Sequence, residues 1–218
     1  MFASVSLAGM LICGPALALK PKKNEAERLK ACEIDICSLV VEKKPRNGWL
    51  TCNVNKTWVK KDIKKGAGKK KMSWSSGDAQ CSLKVRLERG EVIGALTKSE
   101  YEVRFRRHYV NCLVEDGKKV DKVKVSLAPK MKFKDGKVKK IWLNIKEVDA
   151  PPGITTLVWT AANLEDGLGI FHGEMLKEVN KFLHKKCSKR LKEQRRKERR
   201  AKRKEAKAAA EAAQEAAD

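Results

Sequence analysis

Between Tyr101 and Val148 apolar and basic residues alternate segment after segment, and no other feature constrains the fold of this chain as strongly. Val103 and Phe105 alternate with Arg104 and Arg106, and Val123, Val125 and Leu127 with Lys122 and Lys124. Met131 and Phe133 alternate with Lys132 and Lys134, and Ile141, Leu143 and Ile145 with Lys140 and Lys146. Successive strand residues point to opposite faces, so the stretch predicts a sheet with one apolar face and one cationic face. Tyr109–Glu115 belongs to the same series, with Val110, Cys112 and Val114 inward, and Asp116-Gly117 and Asp135-Gly136 predict tight hairpins. The pattern reaches back to Cys81–Leu87, where Leu83, Val85 and Leu87 face in and Lys84 and Arg86 face out.

Upstream, residues 19–33 have the composition of a short helix after Pro21; Ile36–Val41 reads as a first strand and Trp49–Trp58 as a second. Residues 60–72 resemble a phosphate-binding loop only superficially: Ile63 stands where the first glycine is required and Lys70 where a magnesium-binding Ser or Thr would be. They are expected to be a solvated, basic, glycine-containing connection with room for one helical turn. Val92, Ile93 and Leu96 predict a short helix over Gly90–Lys98.

After Ala150-Pro151-Pro152-Gly153 the apolar period becomes helical, through Leu157, Val158, Ala161, Leu164 and Leu168, then Met175, Leu176, Val179, Phe182 and Leu183. Gly167, Gly169 and Gly173 are expected to divide this run into two helices. The fold class is therefore α+β: an antiparallel sheet of about six to eight strands whose apolar face is covered by C-terminal amphipathic helices. One domain over residues 19–184 is expected. Residues 185–218 form a basic tail ending in alanine and glutamate, helical or disordered, with favourable pairs such as Glu193 with Lys197.

Residues 1–18 are uncharged, mostly apolar and end in Ala16-Leu17-Ala18, the pattern of a signal peptide, although no Lys or Arg precedes the apolar run. The residues before Cys13 do not suit lipidation. Removal of that segment leaves Cys32, Cys37, Cys52, Cys81, Cys112 and Cys187, an even set that predicts up to three disulfides in an exported chain, periplasmic or secreted. The preferred pairing joins Cys32 to Cys187 and so pins the termini to the domain.

No cofactor or metal is expected. Cys32 and Cys37 lack zinc-ligand spacing, and His184 with Cys187 is a pair without further ligands. His172-Gly173-Glu174 matches half of a zinc-deaminase signature whose cysteine half is missing, and the chain carries no hydrolase, zinc-protease or nucleotide motif. A non-catalytic role is the expectation.

Charge supplies the remaining clue. Lys and Arg number 50 against 27 Asp and Glu, a net charge of +23 that favours anionic partners. Lys84, Arg86, Arg104, Arg106, Lys122, Lys124, Lys132, Lys134, Lys140 and Lys146 are the candidate anion-binding residues, with Trp142 as a companion aromatic. Like charges facing one another across strands are destabilising, so a surface that keeps them suits a polyanion. The expected function is an exported binding or scaffold protein of the cell envelope that engages anionic polymers or lipid headgroups. A lipid carrier with a cavity between sheet and helices is the alternative, and nucleic-acid binding rests on charge alone.

Overall fold

A computed structural model describes residues 19–44, 47–68, 73–168 and 172–215, with backbone alone at 161–168, 172 and 215. The expected export signal with Cys13, the turn at Pro45, Lys70 and Gly169 lie outside the described residues. The chain folds as α1 (Glu25–Glu42), β1 (Trp49–Trp58), α2 (Lys60–Gly68), β2 (Ala79–Glu88), α3 (Arg89–Thr97), β3 (Glu100–Arg104) and β4 (His108–Asp116). It continues through β5 (Lys119–Leu127), β6 (Lys130–Lys134), β7 (Lys137–Trp142), β8 (Ile145–Asp149), α4 (Pro152–Leu168), α5 (His172–Lys181), a π-helical turn (Phe182–Lys186) and α6 (Cys187–Glu215). The architecture is α+β and every strand pairing is antiparallel.

The strands form two sheets, a five-stranded one in the order β1-β2-β4-β5-β8 and a three-stranded one in the order β3-β6-β7. This corrects the expectation of one sheet with one cationic face. The chain leaves the larger sheet at Ala128-Pro129 and returns at Leu143-Asn144, where Asn144 takes a left-handed φ of 48°. Ala128 N–H donates to Asn144 O (3.1 Å) and Phe105 N–H to Pro129 O (2.9 Å), stitching the two crossings together. Ile141 and Ile145 therefore end in different sheets, although their spacing reads as one strand.

Ile36–Val41 is not a strand. It completes α1, because Cys32, Ile36, Leu39 and Val40 recur at helical spacing and that face packs against β1 and α3. Lys60–Gly68 is likewise a helix longer than one turn, with Ile63 packed against Ala79, Val114 and Val123 at one end of the larger sheet. At the other end α1 and α3 cover Leu50 and Leu87. Of the C-terminal helices, α5 covers the smaller sheet, laying Met175, Leu176 and Val179 on Val103, Phe133, Val138 and Ile141. The ladder's open edge at β7 is closed by Asn180, which accepts from Val138 N–H and donates to Val138 O, both at 2.9 Å.

Helix α3 joins the parts. Its buried residues Ile93, Ala95 and Leu96 enter three different clusters, under β1, under the smaller sheet and under α6 respectively. Gly94 between them lies against Tyr101; a Cβ there would come within 2.9 Å of the ring.

Three disulfides fix the remaining contacts: Cys32–Cys52, Cys37–Cys187 and Cys81–Cys112. The N-terminal partner of Cys187 is thus Cys37 and not Cys32, since the helix places Cys37 toward α6 and Cys32 toward β1. Cys81 and Cys112 are direct cross-strand partners. Helix α6 carries Cys187 and Leu191 into the core and is exposed beyond Gln194.

Glu25 ties the start of α1 to the edge of β1, accepting from the Thr57 N–H and hydroxyl at 2.8 Å each. Burial by itself would raise its carboxyl, but the Thr57 bonds and nearby Lys56 outweigh that and hold it below its ordinary value of 4.5. A carboxyl lowered by folding stabilises the protein above its unfolded pKa and loses that contribution as pH falls through the folded value. Glu25→Gln should therefore cost about 1–3 kcal/mol near neutral pH. Melts of the two proteins should converge as pH drops below the ordinary carboxylate range; a constant gap down to acid pH would refute the assignment.

Candidate anion-binding surfaces

One face of the larger sheet is written into β1, where Thr51, Asn53, Asn55 and Thr57 alternate with Leu50, Cys52 and Val54; Thr51 and Asn53 are exposed, Asn55 and Thr57 buried. Antiparallel register places Asn55 opposite Ser82 and Ser82 opposite Asn111, forming one row across β1, β2 and β4. Lys84 lies opposite Asn53, and Arg86 opposite Thr51.

The β2–β4 ladder stops at Leu83 and Val110, while β2 runs on beside β1 to Glu88. At the divergence the His108 ring takes over. Its Nε2 accepts from Arg86 N–H at 3.2 Å, and its Nδ1 lies 2.6 Å from Arg106 O. An amide N–H can only donate and a carbonyl can only accept, so these two contacts match the tautomer that carries its proton on Nδ1.

The splay opens a cleft of about 490 Å³. Lys84 and Arg86 enter it from β2, Arg106 and Arg107 from the loop before β4, and Asn53, Asn55, Ser82 and Asn111 form its floor. Among the described residues lining it there is no carboxylate. The Arg86 and Arg106 guanidiniums lie over the Trp49 indole, 5.0 and 4.7 Å from its centroid, a cation–π contact that holds both in place. Tyr109, 44% exposed, has Lys124 Nζ 5.3 Å from its ring.

The ten candidate cations fall into groups. Lys84, Arg86 and Arg106 share the cleft, and Lys122 and Lys124 extend its face onto β5, where Lys124 lies opposite Asp149. Arg104, Lys132, Lys134 and Lys140 belong to the outer face of the smaller sheet. There Lys132 faces Lys140 across the strands, and Lys130 and Lys140 stand 4.0 and 4.8 Å from the Trp142 centroid. That face is partly neutralised from β3: Glu102 pairs with Arg104 (2.7 Å) and Lys130 (3.8 Å), and Glu100 with Lys134 (4.0 Å). Lys146 joins neither face, because it is the extra residue where the β5–β8 register shifts from Ser126–Glu147 to Leu127–Ile145.

A third, mainly cationic surface runs along α6, where Lys192, Arg195, Arg196, Arg199 and Lys202 line a shallow groove together with Glu198. At the foot of this helix Lys30 is pushed below its ordinary value, first by side-chain contact with Lys197 and then by that ammonium's charge.

Arg107, Asn53, Asn55, Ser82, Tyr109 and Asn111 are missed when only alternating cations are sought. The recurrence of Asn, depleted in strands, at alternate positions of β1 is the signal that marks them.

No protein-family model, curated protein or solved structure matches this chain. The site is therefore read from its own chemistry. Among the described residues no helix is long and apolar enough to cross a membrane, and no group of three or more His, Cys, Asp or Glu is placed to hold a metal ion. The thiol of Cys187 is spent on Cys37, and His184 Nε2 lies 3.1 Å from Gly136 O.

Proposed function

We propose that this protein is an exported, non-catalytic binding or scaffold protein of the cell envelope that holds anionic polymers on its cationic surfaces. The observation that carries the reading is the cleft between β2 and β4, lined by Lys84, Arg86, Arg106 and Arg107 and by no carboxylate among its described residues; on their Trp49 side Arg86 and Arg106 also border a groove that holds Glu88, Glu91 and Glu102. Four cations at one concavity repel one another, and an anion in their midst relieves that repulsion. Three disulfides are compatible with an oxidising, extracellular location. The lipid-carrier alternative has less support, because the α5 side chains pack directly on the apolar face of the smaller sheet.

Heparin-agarose retention across a salt series tests the reading. Strong retention at low salt that falls steeply toward 0.5 M is the expected result, since counterion release and screening govern exposed ion pairs. Flow-through at low salt, or retention indifferent to salt, would overturn it.

A further inference from the structure

We infer that the polymer taken by the β2–β4 cleft is an acidic saccharide, read by its hydroxyls as well as by its charge. This rests on the polyanion reading and names its ligand class. Cations alone accept any anion. The floor is more selective.

Asn55 is nine-tenths buried and lines the cleft, and its carboxamide makes no hydrogen bond to another described residue while keeping solvent contact, unlike the enclosed Ser126 hydroxyl. A ligand entering the cleft therefore meets a carboxamide that no described protein group already occupies, free to donate and accept. Asn55, Ser82 and Asn111 form one row across three strands, at roughly 4.8 Å per strand. Asn53 stands two residues along β1 from Asn55 on the same face.

Each carboxamide offers two donors and an acceptor, and each hydroxyl of a sugar is donor and acceptor at once. The two inventories match. A phosphate chain or a phospholipid headgroup without hydroxyls presents acceptors only, which would leave every Asn Oδ1 unanswered. A neutral glycan would leave Lys84, Arg86, Arg106 and Arg107 unanswered. A chain carrying both hydroxyls and carboxylates or sulfates satisfies floor and wall together. Single-stranded nucleic acid calls for open aromatic platforms on which bases stack, whereas the Tyr109 ring already carries Lys124.

The test titrates the full chain with a heparin hexasaccharide, with linear polyphosphate of similar charge, and with oligothymidylate. Asn53→Ala combined with Asn111→Ala alters two exposed side chains and leaves the strand ladder in place. It should weaken the hexasaccharide about tenfold and leave polyphosphate unchanged, whereas Arg107→Ala should weaken both. In the native protein the Asn53, Asn55 and Asn111 side-chain amide resonances should shift with hexasaccharide and not with polyphosphate, a readout that does not depend on the variants folding. Unchanged hexasaccharide affinity in the asparagine variant, with Arg107→Ala still weakened, would overturn the saccharide assignment and leave the polyanion reading standing. Tighter binding of oligothymidylate would overturn it in favour of nucleic acid. Indifference of all three probes to Arg107→Ala would remove the cleft as an anion site and overturn the saccharide assignment, leaving the polyanion reading to the other cationic surfaces.

Discussion

Alanine at both Cys37 and Cys187 is expected to lower the melting temperature by roughly 8–20 °C, the largest loss from opening any of the three disulfides. The bridge closes the longest loop, with a sequence separation of 150 against 20 for Cys32–Cys52 and 31 for Cys81–Cys112. Loop-closure entropy grows with the logarithm of loop length, giving about 4–5 kcal/mol for the long loop and about 3 kcal/mol for the short ones. Position reinforces length. Both sulfurs are fully buried among Val40, Leu96 and Leu191, and they join the end of the fold to α1 near its start. Amide exchange in the double variant should therefore accelerate first along the opening turns of α6. A smaller loss than that of Cys32→Ala with Cys52→Ala would show that α6 docks through its apolar contacts alone.

The alternation of Val and Lys in β5 and the hairpins at Gly117 and Gly136 were legible because they depend on local rules. Gly117 and Gly136 take left-handed φ values of 61° and 70°, as tight turns demand. The helix α3 falls within a residue of its expected bounds for the same reason. What could not be read depends on distant partners. Ile36–Val41 has a strand's composition but a helix's neighbours, and the apolar face it shares with Cys32 decides the matter only once β1 and α3 are placed. That misreading carried the disulfide pairing with it, because helical spacing turns Cys32 toward β1 and Cys37 toward α6. The division into two sheets was hidden for a related reason: strict alternation states that residues share a face, not that strands share a sheet. The cleft was least legible of all. It exists because the β2–β4 ladder ends at Leu83 and Val110 and His108 occupies the gap, a tertiary event that no periodicity encodes.

Lys84→Ala combined with Arg86→Ala should weaken heparin binding roughly a hundredfold at low salt, whereas Lys132→Ala combined with Lys140→Ala should cost about tenfold or less. Both variants remove two charges, so net charge alone predicts equal effects. Geometry predicts otherwise. Lys84 and Arg86 line one cleft together with Arg106 and Arg107, and its described lining residues bring no carboxylate, although Glu88, Glu91 and Glu102 stand in the adjoining groove on the Trp49 side. The outer face of the smaller sheet is open to solvent, and Glu100 and Glu102 already answer part of its charge. The salt dependence separates the two surfaces in a second way. Each ion pair lost removes about one released counterion, so the cleft variant should show a slope in log affinity against log salt that is shallower by roughly two. The Arg86 backbone N–H still reaches His108 after the substitution, which keeps the splay of β2 and β4 intact while its charge is gone. Equal losses in the two variants would mean that the protein binds by diffuse charge, and a larger loss in the Lys132 and Lys140 variant would move the principal surface to the three-stranded sheet.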